Sequence, residues 1–307
     1  MISWRVVPRA PVSVPAPAKL NLGLEVLGRR PDGYHDIVTI LQTIDLCDEL
    51  CFDPADVCDY QPPASLSDDL VARALHLLRQ RGVELTARLR LSKRIPVAAG
   101  LGGGSSDAGT LLGILLRAGV PRQLVEETAH QLGSDVPFFL DGGTALARGR
   151  GTELEPLPSP DGWFVLVVPE LTLGSKTRRL YAALTPADYS DGSATLRQAG
   201  RLRAGLGLDP RLVRNVFLRP LSAFHEVQRT LEAFAAAGAR WAWPSGAGPA
   251  IFTWCPERTA AEAIASRLEH AGLRPILAAP YEPDWQSVSV NFTLQTTETS
   301  PPLLPKG

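Results

Sequence analysis

Apolar residues along the chain fall into two periods, and their order predicts an α+β protein. Leu20, Leu22, Leu24 and Val26 alternate with other residues and run into Gly28, the pattern of a strand. A helix is predicted after Ser67-Asp68-Asp69, where Leu70, Ala74, Leu75, Leu77 and Leu78 recur at helical spacing; Arg79 and Arg81 fill its last turn and Gly82 ends it. Leu85, Ala87, Leu89 and Leu91 alternate again, predicting a half-buried strand that meets Pro96. The run from Gly100 to Gly104 then leads into apolar Leu111, Leu112, Ile114, Leu115 and Leu116. Strand, glycine loop and helix N-terminus therefore follow one another.

The second half begins near Asp161. Its pattern predicts a buried strand over 163–168, helices over 175–184, 220–237 and 257–270, and strands over 240–243 and 250–254 flanking a loop at 245–249. Short strands at 275–279 and 287–294 are expected to close it, while 185–215, rich in Gly, Asp and Arg, shows no clear element. No fixed repeat is visible, which argues against solenoids and propellers. Helices set against a mostly antiparallel sheet give a layered α+β domain.

Composition narrows the partners. At 307 residues, with 45% hydrophobic and 21% charged residues, the chain can form one large or two medium cores. A formal net charge of −1 offers no broad attraction to nucleic acid or an anionic membrane, so neither partner is expected, and any polyanion must be held by a local site. Cys47, Cys51, Cys58 and Cys255 form no C-x-x-C pair and stand beside no His cluster, so they read as reduced thiols. The first twenty residues are broken by prolines and resemble neither signal peptide nor anchor, which predicts a cytoplasmic protein.

The run IPVAAGLGGGSSDAG, 95–109, carries the chemistry. Its glycines let backbone N–H groups converge on one anion, and the following helix adds a positive dipole end. Ser105 and Ser106 are candidate caps for that helix and candidate donors to phosphate. A tight strand–helix turn needs one or two glycines; four within 100–104 cost backbone entropy that a turn alone does not require. A Walker loop would end in Gly-Lys-Ser/Thr, and a dinucleotide fingerprint would place its third glycine at Ser105. Both are excluded.

The segment PVAAGLGGGSS, 96–106, resembles the ATP loop of the galactokinase, homoserine kinase, mevalonate kinase and phosphomevalonate kinase (GHMP kinase) superfamily. APAKLNLG, 16–23, and PSGAGPAIF, 244–252, are similar to that superfamily's first and third motifs, in the same order. PDGYHD, 31–36, and LGSDVPFF, 132–139, resemble one branch of it. Members of that branch phosphorylate the 2-hydroxyl of a cytidine-diphosphate-linked methylerythritol in the non-mevalonate isoprenoid precursor pathway. The resemblance implies an ATP-binding domain over 1–160 of the ribosomal-protein S5 domain-2-like type and a ferredoxin-like domain over 161–295. The tail 296–307 reads as disordered, with three prolines in it.

The same resemblance implies ATP as co-substrate, Mg²⁺ beside it, and a cytidine-diphosphate-linked polyol as acceptor. Pro96, Val97, Ala98, Ala99, Gly100, Leu101, Gly102, Gly103, Gly104, Ser105 and Ser106 would bind ATP, with Ser106 also a candidate metal ligand. Asp135 is the candidate base, with Pro137 expected to end helical structure behind it; a helix cap is the alternative role. Lys19, an odd residue in an apolar strand, needs an anionic partner, and the resemblance implies that Asp135 supplies it across the reacting hydroxyl. Tyr34, His35 and Asn21 are candidates for reading the cytidine or polyol, Thr177 and Tyr181 for a second aromatic wall, and Gly246 and Gly248 for backbone contacts. Ala247, Ala250 and Leu41 depart from the pattern: the first two lack hydroxyls usual in the family, and the third replaces an aromatic of some members. His76, His130, His225 and His270 read as structural residues of helices. A superfamily kinase for another alcohol, such as mevalonate or homoserine, and a non-catalytic nucleotide-binding module are the competing readings.

Overall fold

The computed structural model describes residues 2–64, 68–171 and 176–298. Strand β1 (Ile2–Pro8) precedes two long strands, β2 (Val12–Arg29) and β3 (His35–Pro54), which pair antiparallel as a bent hairpin. The first half continues with β4 (Asp59–Tyr60), α1 (Leu70–Gln80), β5 (Val83–Leu85), β6 (Ala87–Ser92) and α2 (Gly103–Arg117). It ends with α3 (Arg122–Leu132), β7 (Thr144–Gly149) and β8 (Glu153–Leu157). The hairpin bends because β3 serves two neighbours, β7 along its first part and β6 along its last. Register shifts in β2 at Pro17/Ala18, Asn21/Leu24 and Val26/Gly28 add local twist.

The predicted strand over 85–91 is divided. β5 pairs parallel with β1, whereas β6 pairs antiparallel with β3, and Thr86 between them donates its N–H to Val6 O. Alternation runs unbroken through Thr86, so periodicity alone does not reveal the change of sheet. Helix α1 starts where predicted: Asp69 caps it by accepting from Ala72 N at 2.8 Å, and Val71, Ala74 and Leu78 are buried. Ser67 lies outside the described residues. Helix α2 starts inside the glycine run, with Gly102 (φ 73°) as N-cap and no side-chain cap bond. Ser105 and Ser106, expected as caps, lie within the first turns instead.

The second half contains β9 (Trp163–Val167), α4 (Lys176–Ala182), α5 (Ser193–Arg203), α6 (Leu218–Leu221) and α7 (His225–Ala236). Then come β10 (Trp243–Pro244), β11 (Ile251–Cys255), α8 (Arg258–His270) and β12 (Ile276–Ala278). The sheet order is β10-β11-β9-β12, antiparallel throughout. With α7 after β9 and α8 after β11, the chain runs βαββαβ, the ferredoxin-like topology. Val227 and Phe234 of α7 and Ala261, Ile264 and Leu268 of α8 cluster with Val165, Val167 and Ile251 of the sheet. The predicted helix over 220–237 is two helices, because Phe224 takes extended backbone (φ −94°, ψ 129°) before α7. The strand predicted over 240–243 shrinks to β10. Within 185–215, α5 has no cap from its own N-cap residue Gly192; Glu25 of β2 accepts from Thr195 N at 2.7 Å instead.

After β12 the chain returns to the first half. Residues 285–289 form α9 (Trp285–Ser289), not the strand expected over 287–294, because Asp284 accepts from Ser287 N and caps a short helix. β13 (Phe292–Glu298) pairs with β1 in a three-stranded sheet, β13-β1-β5. Residues 296–298, expected in a disordered tail, therefore lie in a strand, and 299–307 fall outside the described residues. Among the described residues, no helix is long and apolar enough to cross a membrane, and the four cysteines are free.

Candidate active site

Strand β2 is buried on both faces over its middle, so its non-apolar face does not meet bulk water. Ala18, Leu20 and Leu22 enter a hydrophobic core, while Lys19 and Asn21 line a cleft of about 590 Å³. A buried ammonium needs partners. Lys19 Nζ donates to Asn21 Oδ1 at 2.6 Å and stands 3.7 Å from Asp135 Oδ2. Asn21 Nδ2 donates to Thr39 Oγ1 at 2.9 Å, and that hydroxyl donates onward to Gly23 O, which fixes the amide with its oxygen toward the cation. Asp135 leaves α3 just before the 3₁₀ turn Pro137–Leu140; Pro137 opens that turn rather than ending helical structure. Val136, Phe138 and Phe139 are buried and anchor the segment, yet the Asp135 side chain keeps 42% of its exposure against 5% for Lys19. The pair joins a fixed cation to a carboxylate still open to a ligand.

The glycine loop is stitched to this wall. Lys19 N donates to Leu101 O at 2.8 Å, and Ala250 N donates to Ala99 O at 3.0 Å. Gly100 has φ +85°, and a Cβ there would stand 2.2 Å from Ser245 O; only glycine fits so close an approach. Ser245 Oγ donates back to Gly100 O at 3.0 Å, so the 244–252 loop and the glycine loop form one unit. Gly246 and Gly248 line the cleft, and a Cβ on Gly246 would lie 3.2 Å from both Lys19 Nζ and Asn21 Oδ1. Ile95, Ala99 and Leu101 anchor the loop in the core, with Val97, Ala98 and Gly104 exposed and Pro96, Gly102, Gly103 and Ser105 intermediate. The N–H groups of the first turn of α2 lack a side-chain cap and suit a phosphate. Ser106 Oγ, by contrast, is fully buried and has no hydrogen-bond partner among the described residues.

Beneath the loop, Lys93 Nζ donates to Asp48 and to Asp107 Oδ2, the latter at 2.6 Å, while Asp48 Oδ1 also accepts from Ile95 N at 2.8 Å. One ammonium between two buried carboxylates leaves a charge uncompensated. Burial pushes the Asp107 carboxyl up to about 7, Lys93 opposing and Asp48 adding to the rise.

A second cavity of about 920 Å³ shares Ile37, Asp135 and Tyr181 with the first, so one cleft runs from the glycine loop to the tip of the β2–β3 hairpin. Tyr34 and His35 stand at that tip. His35 stacks on Tyr181 at 4.8 Å between ring centroids, and Tyr181 meets Phe217 edge-on at 4.8 Å. The aromatic wall thus includes a His35–Tyr181 stack that sequence reasoning did not expect. Burial, with the nearby Asp135 charge, pushes the Tyr181 phenol up to about 12; burial and Arg29 lower His35, which favours the neutral imidazole. Thr177 lies in α4, but its side chain falls outside the described residues. Leu41 and Ala247 line the first cavity, and Ala250 is buried. Among the described residues, no group of three or more His, Cys, Asp or Glu could hold a metal ion.

The model of the GHMP kinases N terminal domain matches residues 69–143, and that of the GHMP kinases C terminal matches 196–273. A 4-diphosphocytidyl-2-C-methyl-D-erythritol kinase of Dehalococcoides mccartyi is 38% identical over 282 residues, covering 87% of this chain and 98% of that protein. The chain belongs to this kinase family. A relative of the same name from Pelotomaculum thermopropionicum is 38% identical over 286 residues, covering 87% of this chain and 97% of its own length. A solved 4-(cytidine 5'-diphospho)-2C-methyl-D-erythritol kinase superposes with a TM-score of 0.71 at 33% identity, covering 87% of this chain and 98% of the other. A homoserine kinase structure from Cytophaga hutchinsonii, at 17% identity, covers 94% of this chain and 97% of its own, and with a TM-score of 0.65 shows the shared fold. This small-molecule kinase uses ATP as co-substrate, as its family does.

Sequence reasoning missed the residues that hold the site from behind. Asn215 Nδ2 donates to Pro244 O at 2.8 Å and Gly246 O at 3.0 Å, clamping the third motif, while its Oδ1 accepts from Phe217 N. A lone Asn in a polar stretch carries no local signal of this. Lys93 and Asp107 flank the glycine run in sequence and were the more findable pair.

Proposed function

We propose that this kinase transfers the γ-phosphoryl group of ATP directly to the 2-hydroxyl of 4-diphosphocytidyl-2-C-methyl-D-erythritol. One observation carries the reading: the Lys19–Asp135 pair stands in a single cleft between the glycine loop and the Tyr34–His35–Tyr181 wall. The hydroxyl enters between cation and carboxylate. Asp135 orients it and takes its proton, while Lys19 stabilises the developing alkoxide and the charge on the transferring group. Residues 96–106 hold the ATP phosphates through backbone N–H groups and the start of α2, so in-line transfer needs no phosphoenzyme. Mg²⁺ is expected to travel on those phosphates, neutralising their charge. Ser106, whose buried hydroxyl has no partner among the described residues, is its candidate ligand.

Asn21, Gly246 and Gly248 face the polyol and diphosphate, and Tyr34, His35, Thr177 and Tyr181 serve the cytidine. In this reading residues 1–160 supply the loop and the reacting pair, and 161–295 supply Tyr181 and the 244–252 loop. ATP consumption measured against polyols with and without a cytidine diphosphate group tests it. Turnover is expected for the cytidylyl substrate; equal turnover of free methylerythritol phosphate, mevalonate or homoserine overturns it.

A further inference from the structure

The turn between β7 and β8 places Arg150 between two left-handed glycines, Gly149 (φ 65°) and Gly151 (φ 89°). The turn is tight, and its exposed arginine reaches the hairpin tip at the cytidine end of the cleft. The guanidinium lies over the Tyr34 ring, 3.6 Å from its centroid, and both residues line the same cavity as Asp32, His35 and Tyr181. That distance is close cation–π contact between a delocalised cation and a π face. Tyr34 remains 52% exposed with the guanidinium on one of its ring faces.

The backbone of the tip has its own restraint. Asp32 Oδ1 accepts from Tyr34 N at 3.1 Å, and Asp32 Oδ2 from Arg30 Nε at 3.2 Å. Against some desolvation, the Tyr34 N–H, Arg30 and the Arg150 charge together hold the Asp32 carboxyl below its ordinary value. These bonds fix the main chain of the tip and leave the ring to be held by Arg150. Among the described residues Arg150 forms no salt bridge; Asp32 lies within reach of its charge without an ion pair, and the guanidinium sits over the ring.

We propose that Arg150 is a positioning residue for the nucleotide subsite: stacked on the Tyr34 ring within the same cavity, it holds that ring in place for the pyrimidine of the acceptor. The inference rests on the reading of this pocket given under Proposed function. A tyrosine at an exposed tip otherwise loses rotamer freedom when a base stacks on it, and a ring already held in place avoids that cost. The brace acts on ligand binding, not on the proton or phosphoryl transfer.

Calorimetric binding of cytidine diphosphate and steady-state kinetics with the cytidylyl substrate test it, using Arg150→Met, Arg150→Lys, Tyr34→Leu and the Arg150→Met/Tyr34→Leu pair. Arg150→Met should raise Kd and KM on the order of three- to thirty-fold, with kcat changed less than KM. Arg150→Lys should retain part of the affinity, because an ammonium still sits over the ring. In the Tyr34→Leu background, Arg150→Met should cost nothing further. Unchanged affinity in Arg150→Met overturns the brace, and so does a full additional loss in the Tyr34→Leu background, which would mean direct contact with the ligand. If the wild-type protein fails to bind cytidine diphosphate, the pocket reading falls and the brace with it; wild-type binding matched by Arg150→Met removes the brace alone.

Discussion

Lys19 is held by two acceptors of different kinds, the amide oxygen of Asn21 at 2.6 Å and the carboxylate of Asp135 at 3.7 Å. The amide is relayed through Thr39 to the backbone and is fixed, whereas the carboxylate is half exposed and free to exchange partners. That asymmetry suits a cation that keeps its place while the carboxylate takes a proton. Asp135→Asn preserves size but removes charge and basicity. If Asp135 is the base, kcat should fall by roughly two to four orders of magnitude with calorimetric ATP affinity nearly intact. Near-normal turnover in a folded Asn variant would instead leave Asp135 a capping residue, since Asn caps as well as Asp. Lys19→Met should also lower kcat, and the double variant should lose less than the two losses combined, because the pair acts as one unit. An additive double variant would separate the two roles. At this scale the sequence was legible where a residue type clashed with its surroundings, as Lys19 does in an apolar strand. Asn215 and Arg150 were hidden because each acts on a partner far along the chain, from a segment with no periodic pattern.

The elements that matter most are the glycine loop and the start of α2. Both were legible because a strand, a glycine run and a helix leave a local signature, but the N-cap was misplaced: Gly102, not a serine, turns the chain into the helix. Strand alternation likewise concealed the break at Thr86, and helical spacing concealed the one at Phe224, since a pattern of side chains records burial rather than pairing partners. Gly100 tests the loop. At φ +85°, alanine costs about 1–2 kcal/mol from backbone conformation alone, and its Cβ would also push against Ser245 O. Gly100→Ala should lower the denaturant midpoint and weaken ATP binding together, because the glycine loop is hydrogen-bonded to the 244–252 loop at this point. Unaltered ATP affinity in a folded variant would detach the loop from phosphate binding. The Lys93–Asp48–Asp107 group under α2 predicts a pH dependence. With the Asp107 pKa raised to about 7 from 3.8, the folded state binds the extra proton. Its contribution to stability is present below about pH 4 and lost as pH rises through about 7. Asp107→Asn, neutral at every pH, should flatten the fall of Tm across that window. A wild-type slope retained in the variant would place the titration elsewhere.

At the scale of the whole molecule, the cleft is built where the bent hairpin, the glycine loop and the ferredoxin-like sheet meet. Ser245, Gly246 and Asn215 come from the second half, yet they fix the loop and lysine of the first. α9 and β13 return to the first half, packing Trp285 beside Gly113 of α2 and adding a strand to β1. The fold class was readable from element order, but this return was not, because pairing of the first strand with the last leaves no trace in local periodicity. In the proposed reading the two substrates are separate, phosphates at the glycine-loop end and the cytidine at the hairpin tip, with Asp135 and Tyr181 lining both cavities. A ligand that fills only the tip should therefore exclude the acceptor and leave ATP room to bind. Cytidine diphosphate is such a ligand, and steady-state inhibition should be competitive against the cytidylyl substrate and not competitive against ATP. Competition with ATP alone would mean that it binds as a nucleotide at the loop and would move the cytidine subsite away from Tyr34 and His35. Tyr34→Leu supplies the control, since losing the stacking face should raise the inhibition constant of cytidine diphosphate by a factor equivalent to about 1–3 kcal/mol of binding free energy, the usual worth of one base on an aromatic ring, while the KM for ATP holds.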